Sequence, residues 1–132
     1  VGNFALEYLS VADSGAIFNI TESTDKSILI ILPTASTDAE ALQLVGWYAT
    51  FIIGAVGDKS VTIGPVGGGS NTLVGSIATH GQDALTSVII ADNTVKFGSS
   101  TNDCVVGDSV DIFCIASTAS AATYLARGFA NT

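Results

Sequence analysis

The chain is short of charge. Of its 132 residues 12% are charged and 48% hydrophobic, and the charged share is about half that of an ordinary soluble domain. Cations are scarcer still. Lys26, Lys59, Lys96 and Arg127 stand scattered against twelve acids, for a net charge of −8. No basic patch exists to neutralise phosphates, which argues against nucleic acid and against an anionic membrane surface as partners. There is one histidine, His80, so no converging set of imidazoles can hold a metal, and a hydroxyl or thiol nucleophile would have a single imidazole to serve it. A G-x-S-x-G elbow is missing, and so is a pair of carboxylates set among aromatics, as a glycosidase cleft requires. Methionine is absent and tryptophan occurs once, as Trp47. No catalytic residue, metal or cofactor emerges from this inventory, and the expectation is a protein that is not an enzyme.

Two cysteines are present, Cys104 and Cys114. If Gly107-Asp108 turns a hairpin, Cys104 faces a residue near Asp111 and not Cys114, so two buried thiols in a reducing compartment are expected. The glycine-rich stretch Gly64 to Thr72 lacks the lysine and the following helix of a phosphate loop and reads as a connection between strands. The acids Asp103, Asp108 and Asp111 fall within nine residues. Calcium would need five or more oxygens in one place, so turn and surface roles are the simpler account, with a calcium ion between loops left as an alternative. One glycosylation sequon begins at Asn19, a short pattern that matches often by chance. No basic stretch followed by an apolar one opens the chain, so no signal peptide is expected.

What the chain has is apolar runs of strand length. Phe4–Tyr8 alternates, with Phe4, Leu6 and Tyr8 on one face. Further strands are predicted at 16–20, 27–32, 59–63, 73–77, 87–91, 94–97, 109–115 and 123–129. They are separated by turn residues such as Asp13-Ser14-Gly15, Asp92-Asn93 and Gly107-Asp108. Ser36 to Gln43 is the one helix candidate, capped by Ser36 or Thr37 with Glu40 at capping-box distance from Thr37. The stretch Ala116 to Ala122 is expected to be a flexible loop.

The longest uncharged run is "LVGWYATFIIGAV", Leu44 to Val56. As a helix it would span about 20 Å, short of the roughly 30 Å of a bilayer core. Its β-branched and aromatic residues, bracketed by Gly46 and Gly54, predict one central strand over Trp47–Ile53, buried on both faces with Trp47 in the core. Many short strands with almost no helix predict an all-β chain: a single domain over residues 1–132, an antiparallel β-sandwich of jelly-roll type with at most one short helix near 36–43. Residues 1–9 form either an arm that grips a neighbour or an edge strand.

One ordered set of short motifs is more specific. "ILPTAS" (31–36) is followed by "GWYATFII" (46–53) and "SVTIGP" (60–65). Later come "GSIAT" (75–79), "ADNTVKF" (91–97), "VGDSVDIFCIAS" (106–117) and "TYLARGFANT" (123–132). This order resembles the β-rich structural modules of tailed-bacteriophage virions, the capsid decoration (cement) proteins and fibre-type modules, with Tyr124 where a tryptophan is common. The resemblance implies a structural protein made in the host cytoplasm and carried on the virion. It implies the major capsid protein as partner and further copies of the chain, commonly as a homotrimer, with no nucleic acid and no membrane. Phe4, Leu6 and Tyr8 are the candidate partner-binding residues. The alternative is a receptor-binding or fibre-tip module that takes a carbohydrate near an exposed Trp47 or Tyr124. A calcium-dependent lectin-like module of cellular origin is the third class.

Overall fold

The structure is a computed structural model that describes residues 4–21, 27–55, 57, 59–66, 70–79, 88–98 and 106–130. Within them lie ten strands and one α-helix. The strands are β1 (Phe4–Tyr8), β2 (Ile17–Thr21), β3 (Ser27–Ile31), β4 (Tyr48–Ala55), β5 (Val61–Gly64), β6 (Thr72–Thr79), β7 (Val88–Ala91), β8 (Thr94–Phe97), β9 (Ser109–Ser117) and β10 (Ala122–Ala130). They form two five-stranded sheets, one ordered β1-β3-β5-β8-β7 and the other β2-β4-β9-β10-β6.

The expected antiparallel arrangement is corrected. β1–β3, β3–β5, β2–β4 and β6–β10 pair in parallel, and the other four pairings are antiparallel. The reason lies in the connections. From β1 to β6 the chain places each successive strand in the opposite sheet. A strand in one sheet therefore serves as the crossover that parallel neighbours in the other require, a task usually given to a helix. Among the described residues only β7–β8 and β9–β10 are hairpins within a sheet. A jelly roll, built from antiparallel Greek keys, is not established by these pairings.

Local chemistry fixes the ends. Asp92 and Asn93 both have positive φ, 52° and 60°, as a two-residue hairpin turn between β7 and β8 demands. The helix α1 (Asp38–Leu44) starts at Thr37, whose side chain accepts from the Glu40 N–H at 3.2 Å. The Glu40 carboxylate reaches one residue further back than a capping box does, to the Ser36 N–H at 2.9 Å and the Ser36 hydroxyl at 3.0 Å. Those bonds hold its pKa below the usual carboxylate range. Gly46, at φ +88°, ends the helix and turns the chain into β4. Residues 118–121 are not a loose loop: the Thr118 hydroxyl accepts from the Ser120 and Ala121 N–H groups and closes the β9–β10 hairpin.

Both sheets feed one contiguous core. β3, β5 and β8 supply Ile30, Val61, Ile63, Val95 and Phe97; β4, β9 and β10 supply Phe51, Ile53, Val110, Ile112 and Tyr124. Phe18 stacks on Phe51 with ring centroids 5.1 Å apart. Trp47 is 2% exposed and points into this core, as the sequence predicted. The expectation that the strand Trp47–Ile53 is buried on both faces is corrected. Leu44 ends α1, and β4 is buried on one face only: Ala49, Phe51 and Ile53 face inward, whereas Tyr48 is 49% exposed and Thr50 and Ile52 are half-buried. β3 is likewise covered on one side, with Ser27 and Leu29 half-buried.

Candidate interaction surfaces

Two buried aromatics pin the end of the molecule that carries the motif "LPTAS". The Tyr124 hydroxyl donates to the Pro33 carbonyl, and the Trp47 indole N–H donates to the Ser10 carbonyl at 3.0 Å. The two rings meet edge to face at 6.0 Å. Burial, and secondarily the nearby Cys114, pushes the Tyr124 phenol well above its ordinary pKa. Burial also raises the Cys114 thiol. These groups lock the segment after β3 and the 3₁₀ turn at Val11–Asp13 onto the core. Sequence reasoning placed Trp47 correctly but missed the Tyr124–Pro33 bond, for which the only signal was a proline closing an apolar run.

The segment held in place leads back to β1. Phe4–Tyr8 is an edge strand paired with β3 alone, in the register Leu6↔Leu29 and Tyr8↔Ile31. Leu6 is 50% and Tyr8 69% exposed, on the outward face beside half-buried Leu29 and Ile31. Phe4 stands opposite Ser27; its side chain lies outside the described residues. At the Tyr8 end a pocket of about 320 Å³ opens, lined in part by Tyr8, Val11, Ile31, Pro33, Thr34 and Val66. An edge strand leaves N–H and C=O groups unpaired, and apolar side chains beside it can cover a partner's surface.

The second surface is the outward face of the other sheet. Register places Tyr48, Phe113, Leu125 and Val74 in one row across β4, β9, β10 and β6. Tyr48 and Phe113 stack with centroids 6.2 Å apart, and Val74 is 50% exposed. The next row is polar: Thr50, Asp111, Arg127 and Ser76. Thr50 donates to Asp111 at 2.5 Å. The third row runs Ile52, Ser109, Phe129 and Ala78, with Phe129 45% exposed. No sequence motif announced this face. In β4 it was hidden because the strand Trp47–Ile53 reads as buried on both sides.

His80, Cys104, Asp103 and the glycines at 67–69 lie outside the described residues. Asp108 is buried at the turn before β9, whereas Asp111 is exposed on it. Among the described residues no group of three His, Cys, Asp or Glu side chains is placed to hold a metal ion, and no helix is long and apolar enough to cross a membrane. Comparison with protein-family models, with curated proteins and with solved structures finds no match to this chain.

Proposed function

We propose that the chain is a virion structural protein, a capsid decoration (cement) protein, folded as a β-sandwich whose β1 edge docks on the major capsid protein. The observation that carries this reading is the exposure of Leu6 and Tyr8 on an edge strand beside a pocket. The motif order described above supplies the kind of partner. Burying two such side chains is worth a few kcal/mol at most, less than association costs. One copy therefore binds weakly, and a cyclic oligomer that contacts several capsid subunits at once binds through avidity. In this reading the chain acts on the capsid surface by adhesion, after synthesis in the host cytoplasm.

The test is removal and resupply. Particles lacking the protein are expected to break at lower temperature and in low salt, and the purified wild type to restore them. A Leu6→Asp, Tyr8→Asp double variant is expected to fold and to bind undecorated capsids at least about tenfold more weakly, since each buried charge costs more than 1 kcal/mol. Unchanged stability of particles without the protein would refute the cementing role. The receptor-binding alternative places its ligand near Trp47 or Tyr124 if either is exposed. The two are 2% and 0% exposed, so neither side chain offers a surface for that ligand.

A further inference from the structure

The outward face of the sheet β2-β4-β9-β10-β6 is complementary to itself. Arg127 stands at its middle, directly opposite Asp111 on β9. Among the described residues Arg127 makes no ion pair and no side-chain hydrogen bond. A guanidinium between apolar rows, with no ion-pair partner among the described residues and a carboxylate as its cross-strand neighbour, is a charge pattern that a rotated copy of itself would satisfy.

We propose that this face binds the same face of a second copy, about a two-fold axis that lies parallel to the strands between β9 and β10. Such an axis keeps height along the strands and exchanges left for right, so β9 of one copy covers β10 of the other and β4 covers β6. Asp111 then faces Arg127 of the second copy and Arg127 faces its Asp111, closing a ring of four charges alternating in sign. In the row above, Phe113 meets Leu125, and the large Tyr48 meets the small Val74. In the row below, Phe129 meets Ser109. Each large side chain is opposed by a smaller one, and no like charges are brought together, as a self-complementary interface requires. The natural twist of each sheet sets the two strand sets about 30° apart, the angle common to packed sheets. Asp111 keeps its Thr50 hydrogen bond, and the bidentate fork of Arg127, which pairs with no carboxylate among the described residues, takes the carboxylate of the second copy. The dimer covers the apolar area that the low charge of the chain leaves on this face, and it leaves β1 free on the other sheet. It does not depend on which surface β1 binds.

The test is a charge swap read by sedimentation across about 1–100 μM protein. The wild type is expected to be a dimer that weakens as salt rises. Arg127→Asp makes the centre of the face all negative and Asp111→Arg makes it all positive, so each variant alone is expected to dissociate at least about a hundredfold more readily. Mixing the two is expected to yield a heterodimer, and the double variant with both changes is expected to dimerise like the wild type. Val74→Asp, at an exposed edge-strand position, gives a second route to the monomer should either charge variant fail to fold. A wild type that stays monomeric at 100 μM overturns the proposal. So does a wild-type trimer, and so do single variants that dimerise unchanged or a mixture that stays monomeric.

Discussion

Replacing Tyr124 by phenylalanine removes one oxygen from the core and nothing else. The ring and its edge-to-face contact with Trp47 are retained, so the packing contribution is unchanged. What is lost is the donor to the Pro33 carbonyl, a buried bond between residues 91 apart in sequence. A buried acceptor left without its partner costs about 1–3 kcal/mol. For a domain of this length that lowers the melting temperature by roughly 3–10 °C. A second signature comes from pH. Burial raises the phenol pKa, so the folded chain keeps its proton where the unfolded chain has released it. The contribution is complete below about pH 10 and is lost as pH rises further, by up to about 1.4 kcal/mol per pH unit. Urea unfolding of wild type and Tyr124→Phe from pH 7 to 11 reads both effects. The variant should be less stable at pH 7 and should lose less stability per pH unit above 10. Equal stability at pH 7, or parallel alkaline slopes, would show that the bond does not hold the Pro33 segment to the core.

Three other perturbations probe separate parts of the fold. An ideal Cβ on Gly75 would stand 1.8 Å from the Ala126 carbonyl oxygen, at φ +156°, so Gly75→Ala must push β6 away from β10. The backbone strain alone is worth on the order of 1–3 kcal/mol, read as a lower urea midpoint. Phe51 is fully buried and stacked on Phe18, so Phe51→Ala should cost about 3–5 kcal/mol in the same assay. At the start of α1, bonds from Ser36 depress the Glu40 pKa, so their stabilisation is present above the ordinary carboxylate range and lost as pH falls through the depressed value. Protection of the Ser36 amide against hydrogen exchange should fall with acid in the wild type and show no such dependence in Glu40→Gln.

The strands were legible because their chemistry is local. The alternation in Phe4–Tyr8, the β-branched runs at 27–31 and 48–55, and the Asp92-Asn93 turn all signal through neighbouring residues, and the observed bounds fall within a few residues of those predicted. Topology was not legible for the complementary reason. A turn that reverses the chain within one sheet and a turn that carries it to the other sheet use the same glycines and aspartates. Nothing local tells the two apart, and the spacing of short strands predicts an antiparallel sandwich. The face of a strand was equally ambiguous where apolar residues occupied both sides. Tyr48 and Ile52 read as doubly buried, yet Tyr48 is half exposed and Ile52 only half-buried. The composition had shown that apolar area exceeded what polar residues could cover. The structure locates part of that excess, on the outward face beside Arg127 and along β1.

The two proposals together assign these two surfaces different tasks. In the proposed reading one would hold a second copy and the other would face the structure to which the pair is attached, with the core and the Trp47–Tyr124 contact between them. Adhesion of this kind depends on position more than on any single contact, so the decisive observation is positional. A density map of intact phage particles carrying this chain should show its two sheets on the outer capsid surface, repeated with the capsid symmetry, with β1 against the major capsid protein. Density for the chain at a fibre tip, or β1 turned to solvent with another face on the capsid, would contradict it.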